Sequence, residues 1–115
     1  LAYYYIIRDD ENKLIAYCGV WNVADEGHIT NVAVHPDYRR GGYGSILIET
    51  LIAKAKELDL MLLTLEVRES NMPAQRLYEK YGFELLGKRP KYYADNREDA
   101  LIMTKTFDKG ESQIG

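Results

Sequence analysis

The sequence predicts an α/β (α+β) fold built on a mixed sheet, and three observations carry this reading. Three β-like segments separated by short polar turns open the chain, which makes an antiparallel meander. A strand, an amphipathic helix and a second strand then follow in one run, which implies a crossover with parallel pairing. The second of those strands, Met61–Val67, is nearly all apolar, the pattern of a strand buried on both faces.

The elements follow in order. Ala2–Arg8 is aromatic and β-branched and reads as a strand. Asp9–Lys13 is a polar turn, Leu14–Val23 a second strand, and Ala24–Gly27 a second turn with Gly27 at a hairpin position. His28–Val34 is the third strand. From Gly44 to Leu58 the period changes: Leu47, Ile48, Leu51, Ile52, Ala55 and Leu58 fall on one helical face. Strand Met61–Val67 should lie beside, and parallel to, His28–Val34. Ser70 and Asn71 supply capping chemistry and Pro73 suits a first helical turn, so Ala74–Tyr81 is a short helix. Gly82 is a good left-handed residue after its end, with Phe83 packing back on the last turn. Phe83–Lys88 and Ala100–Phe107 are two further strands, joined by a long polar loop holding Tyr92 and Tyr93. Asp108–Gly115 reads as a polar, frayed tail. One domain, 1–107, is expected.

Composition excludes several classes. A net charge of −3 and a pI near 5.4 argue against a general nucleic-acid binder, which is usually basic. The single cysteine, Cys18, has no internal partner, which fits a reducing cytoplasm, and its place within a strand makes it a small buried apolar residue. No apolar run approaches the ~20 residues of a membrane span. His28 and His35 have no Cys or carboxylate at ligand spacing, so no metal site is expected.

Chemistry concentrates in three places. Val32–Gly44 is an apolar strand, a proline-marked turn, Arg39-Arg40, and glycines at 41, 42 and 44 running into a helix. Free amides at a helix start, the helix dipole and two guanidinium forks make a phosphate or pyrophosphate site. It is not a P-loop, lacking Lys-Ser/Thr after the glycines, nor a Rossmann fingerprint. Glu66 ends an apolar strand on the face shared with Thr64 and Arg68. It is either paired with Arg68 or solvated at the strand end, or a carboxylate at a cleft mouth that accepts a proton through water. Tyr78 lies two helical turns after Asn71, so both can face one side. The plainer reading of a tyrosine on a short helix is core, with Leu77 and Tyr81 as the leading core members.

These residues resemble a known family. Arg39-x-x-Gly42-x-Gly44 resembles the acetyl-CoA motif Gln/Arg-x-x-Gly-x-Gly/Ala of the GNAT N-acetyltransferases. Leu65-Glu66-Val67-Arg68-x-Ser70-Asn71, Ala74, Leu77-Tyr78-Glu79-x-x-Gly82-Phe83, Tyr92-Tyr93 and Glu98-Asp99-Ala100-x-x-Met103 resemble its RimI-like branch, the ribosomal-protein-alanine N-acetyltransferases. The resemblance spans roughly Leu14–Phe107. It implies a GNAT fold with a V-shaped splay between the parallel strands. It also implies that Val32, Ala33 and Val34 offer backbone groups to pantetheine and that Arg39, Arg40, Gly41, Gly42, Tyr43, Gly44 and Ser45 cradle the pyrophosphate. Asn71 would bond the acetyl-CoA, Glu66 would be the general base, and Tyr78 would protonate the departing thiolate. The residue types suit that chemistry. Only roughly 10–20% of an α-amine of pKa about 7.7–8.0 is neutral at pH 7, and a phenol of pKa ~10 can donate to a thiolate whose thiol has pKa ~8.5.

By the same resemblance the acceptor is a protein N-terminal α-amine, that of the N-terminal alanine of a small-subunit ribosomal protein, and transfer is direct within a ternary complex. A GNAT acting on a small-molecule or lysine amine, and a CoA-binding module without turnover, are the alternatives. Family members usually carry a strand and two helices before the segment at which Leu1 stands. The expectation is therefore an intact cofactor half, an incomplete acceptor half, and an apolar face open to self-association.

Overall fold

A computed structural model describes residues 1–107; the polar tail expected beyond Phe107 lies outside them. The strands are β1 (Ala2–Arg8), β2 (Leu14–Val23), β3 (Glu26–Val34), β4 (Leu62–Arg68), β5 (Glu84–Arg89) and β6 (Ala100–Thr106). The helices are α1 (Tyr43–Glu57), between β3 and β4, and α2 (Met72–Lys80), between β4 and β5. The strands form one mixed sheet in the order β1-β2-β3-β4-β6-β5, in which only β3 and β4 run parallel.

That parallel contact is short. Glu26 pairs with Leu62, Gly27 with Leu63 and His28 with Thr64, and there it stops. Beyond it β3 stays with β2 as far as Val34, while β4 stays with β6 as far as Arg68. A bulge accompanies the parting. Gly19 of β2 faces Asn31 and Val20 faces Ile29, which leaves Thr30 as an extra residue in β3. A bulge bends the strand that holds it, and this one sits two residues past the last parallel pair. The two strands therefore form a V that opens toward their C-terminal ends.

Alternation sets the two faces. Ala16, Cys18 and Val20 of β2 and Leu63, Leu65 and Val67 of β4 turn to one side, where they form a single core with Leu47, Ile48 and Leu51 of α1 and Tyr78 of α2. Cys18 is fully buried, and burial pushes its thiol up to about 11. The opposite face carries exposed Tyr4, Ile6, Tyr17 and Trp21, and no helix covers it among the described residues.

Two local assignments need correction. The turn between β2 and β3 is Ala24-Asp25 alone, with Ala24 at φ +55°, and Gly27 lies inside β3. Gly27 is needed for close approach, because a Cβ there would come within 2.6 Å of Leu63 Cδ2. In α2 it is Tyr78 that is buried, while Leu77 and Tyr81 are only half-buried. The helix ends as the sequence suggests. Gly82 adopts φ +90°, its amide reaches Glu79 O at 3.0 Å, and Phe83 N reaches Tyr78 O at 3.0 Å. This is the paired closure of a Schellman end, and it seats Phe83 against the Tyr78 ring, with centroids 5.9 Å apart.

Leu51, 1% exposed, is central to the helix–sheet core. Leu51→Ala should lower the unfolding free energy by about 2–5 kcal/mol in urea titration; a loss below about 1 kcal/mol would show that α1 is not packed as described.

Candidate active site

The loop after β3 builds an anion cradle residue by residue. His35 Nδ1 accepts the Asp37 amide at 3.1 Å and caps a single 3-10 turn over Pro36–Tyr38. The chain then passes through Arg40 at φ +69° and Gly42 at φ +83°. Gly42 is the N-cap of α1, and the first helical bond runs from Ile46 N to Gly42 O at 3.2 Å. The amides of Tyr43, Gly44 and Ser45 precede that bond and have no acceptor within the helix. With the helix dipole behind them they favour an anion. Arg39 and Arg40 stand beside them, Arg39 Nε lying 3.5 Å from Val34 O. Gly41 is where the loop turns tightest: a Cβ there would come within 2.8 Å of the Tyr43 ring.

This cradle closes one end of a cleft of about 740 Å³ running between the open edge of β3, the start of α1 and the start of α2. Val32, Ala33, Val34, Arg39, Arg40, Gly42, Tyr43, Gly44, Ser45, Asn71 and Tyr78 all line it. Gly41, which is exposed, does not. Sequence reasoning missed Tyr38, Pro73, Ala74 and Leu77, which also line the cleft. Their signal was position: Tyr38 directly precedes Arg39, and the other three sit on the α2 face turned to α1. Gly44 permits that approach, since a Cβ there would stand 3.1 Å from Leu77 Cδ2. A cleft with an amide-bearing strand edge along one wall and free N–H groups with two guanidinium groups at one end suits a long ligand. That ligand would carry peptide-like groups in its arm and a pyrophosphate.

Asn71 caps α2, its side-chain oxygen accepting the Ala74 amide at 3.2 Å. The buried Gln75 amide donates to the carbonyls of Arg68 and Glu69 at 3.1 and 2.8 Å, which pins α2 to the end of β4. Tyr78 is thereby held at the inner wall of the cleft. Burial, before the nearby Tyr93 and Cys18, pushes its phenol up to about 12.

Glu66 points the other way. Leu65 and Val67 turn into the core, so Glu66 projects from the face opposite the helices. Its carboxylate meets Arg89 Nε at 3.4 Å and accepts a bond from the Tyr92 hydroxyl, whose pKa it raises. The expected Glu66–Arg68 pair does not form. Arg68 instead holds Asp95 through two bonds of 3.0 Å, approaches Glu98 at 3.5 Å, and lies 4.0 Å from the Tyr93 ring centre. Glu98 also accepts the Ser70 amide, which together with Arg68 holds its carboxyl below the usual range. The loop between β5 and β6 is thus fastened over the end of β4 beside Glu66. Among the described residues no cluster of His, Cys, Asp and Glu is arranged to hold a metal, and no helix is long and apolar enough to cross a membrane.

Comparison with known proteins places this architecture. Residues 1–83 match the model of the acetyltransferase (GNAT) family. The chain belongs to the GNAT family.

A Bacillus subtilis relative, provisionally named a ribosomal protein bS18-alanine N-acetyltransferase, is 44% identical over 106 residues, covering 92% of this chain and 70% of the relative. The Escherichia coli K12 protein named ribosomal protein bS18-alanine N-acetyltransferase is 44% identical over 93 residues, covering 79% of this chain and 63% of its own length. The crystal structure of the ribosomal-protein-S18-alanine N-acetyltransferase from Escherichia coli superposes with a TM-score of 0.84 at 37% identity, covering 91% of this chain and 68% of that one. The chain thus spans about two thirds of the length of these GNAT relatives.

Two predictions test this GNAT cleft. Gly42→Ala forces a Cβ onto φ +83° with open space around it, so the strain is purely conformational. It should cost about 1 kcal/mol in unfolding free energy and weaken coenzyme A binding in calorimetry; unchanged binding would mean that the cradle amides are not used. For Tyr78, the folded phenol at about 12 exceeds the ordinary 10.0. The folded state therefore keeps its proton longer, and the stabilisation present below pH ~10 is lost as pH rises toward ~12. Between pH 9 and 11 the wild type should lose about 1 kcal/mol more stability than Tyr78→Phe; parallel losses would place the phenol in water.

Proposed function

We propose that this chain carries the cofactor-binding and proton-transfer part of an acetyl-CoA-dependent N-acetyltransferase that acts on a protein N-terminal α-amine. The acceptor is the N-terminal alanine of a ribosomal protein, the substrate named for its relatives, and the setting is the cytoplasm. One observation supports this most. Glu66 and Tyr78 lie on opposite faces of the sheet, beside the gap between β3 and β4, and the anion-ended cleft runs to that gap on the Tyr78 side.

Acetyl-CoA supplies an activated acetyl group as its thioester. The cradle amides with Arg39 and Arg40 hold its pyrophosphate, and the free edge of β3 at Val32–Val34 aligns its arm. The acceptor comes from the other face, where Glu66 takes a proton from its ammonium. The freed amine forms the new C–N bond as the C–S bond breaks; Tyr78 gives its proton to the sulfur, the second proton shed by the new amide nitrogen restores the Tyr78 phenol through water, and Glu66 releases its proton to solvent. A phenol kept neutral by burial is available for that step across the whole physiological range. No covalent enzyme intermediate is needed, which agrees with Cys18 being fully buried and protonated.

The test is a peptide series with acetyl-CoA: one with a free N-terminal alanine, one blocked at the N-terminus with a free lysine. Product on the α-amine alone is expected, and product on lysine alone would overturn the assignment. Glu66→Gln should lower kcat by about 10²–10⁴ and leave coenzyme A affinity unchanged; lost affinity would make Glu66 a structural residue.

A further inference from the structure

Asp9 lies in the turn between β1 and β2, remote in sequence from the cradle, yet it is bonded to it. Its Oδ1 accepts the amides of Glu11 and Lys13, both at 2.9 Å. Its Oδ2 accepts the Tyr38 hydroxyl at 3.0 Å, across 29 residues. Tyr38 in turn opens the anion loop and touches its far end. Its carbonyl accepts the Gly41 amide at 3.4 Å, and its ring meets the Tyr43 ring edge-on, with centroids 6.0 Å apart and planes at 84°. A second edge contact, also 6.0 Å, joins it to His35. The loop between Tyr38 and Tyr43 contains the left-handed Arg40, a conformation that non-glycine residues hold only when their surroundings impose it.

We propose that Asp9 is a positioning residue for cofactor binding: through Tyr38 it fixes the loop that presents the cradle amides and Arg39. The inference rests on the reading of the cleft as the acetyl-CoA site. Two opposed effects make it testable. A carboxylate near a pyrophosphate cradle repels the ligand, so removing its charge should tighten binding if repulsion dominates. If Asp9 acts by fixing Tyr38, removing its charge should loosen binding instead. Both electrostatic signatures of the bond are present, Asp9 being held below the usual carboxylate range, first by the Lys13 amide, and Tyr38 being raised, first by Asp9.

The experiment is calorimetric titration of the whole chain with coenzyme A, for wild type, Asp9→Asn, Tyr38→Phe and the double variant. Asp9→Asn keeps an oxygen for the turn amides and replaces the charge-assisted bond by at most a neutral one, from Nδ2 to the Tyr38 hydroxyl oxygen; Tyr38→Phe keeps the ring contacts and removes the bond altogether. Each single variant should weaken Kd by about 5- to 20-fold, the range for losing a charge-assisted bond. The double variant should be no weaker than the worse single, because both act on one bond. In the peptide assay KM for acetyl-CoA should rise with kcat held. Tighter or unchanged binding by Asp9→Asn, or losses that multiply in the double variant, would overturn the role of Asp9 while leaving the cleft as the acetyl-CoA site. Absence of coenzyme A binding by the wild type would overturn both.

Discussion

Strands β3 and β4 are joined over three residue pairs and then held apart, and the site is arranged around that separation. In an ordinary parallel pair the facing N–H and C=O groups satisfy one another. Here the β3 edge from Ile29 to Val34 has no strand partner on the β4 side among the described residues, and unpaired backbone groups next to a core are costly. They can be left so only where water or a ligand reaches them. The bulge at Thr30 makes the separation a property of the fold. Below the fork, Leu63 and the α1 residues Leu47, Ile48 and Leu51 fill the space, so the gap is confined to the C-terminal ends of the strands.

The anion end obeys a second constraint. The chain as a whole is acidic, so attraction for an anion must be local. It comes from oriented amides at the start of α1 and from two adjacent arginines, all within one loop. Bringing them together needs two left-handed residues in three positions, and only Gly42 adopts that shape without strain. Arg40 is held there by its neighbours: Tyr38 and Tyr43 pack edge-on across the loop, and Gly41 fits beneath the Tyr43 ring. The geometry that exposes the amides is thus maintained by aromatic contacts across the loop.

How much of this was legible in the sequence depends on range. Alternation marked β1 and β2 at their observed ends, and a 3.6-residue period marked α1 to within a residue, because both patterns are local records of a buried face. The C-terminal glycine signal at Gly82 was equally local. What escaped was decided by partners distant in sequence. Nothing near Ala24 announces a left-handed alanine, so the turn drifted to Gly27, whose lack of a side chain answers to Leu63 instead. Glu66 and Arg68 looked like partners because they share a face, but Arg68 is claimed by Asp95 and Glu98, and Glu66 by Arg89 and Tyr92, all from the following loop and strand. Spacing put Tyr78 on the Asn71 side of α2, yet on a nine-residue helix it could not tell whether that side met the core, the cleft or both. The family resemblance supplied the roles; the sheet supplies the reason those residues can be near one gap.

That reason is an argument about faces. Under the proposed roles of Glu66 as base and Tyr78 as acid, placing both on one side of the sheet would make them compete for one space, and the proposed acceptor would have to thread past the acetyl-CoA. Here Tyr78 rises from the helical side, buried enough to stay neutral, while Glu66 stands on the open side, a third of its side chain in contact with solvent. A continuous sheet would separate them completely. A sheet parted at β3 and β4 allows one small group to be reached from both sides at once, provided it lies in the gap. The selectivity that follows from the proposed roles is geometric. A ligand anchored by its anionic end in the cradle, and aligned along Val32–Val34, can offer its reactive end only there, and an acceptor from the opposite face can meet it only if its nucleophile protrudes as a chain terminus or a slender side chain does.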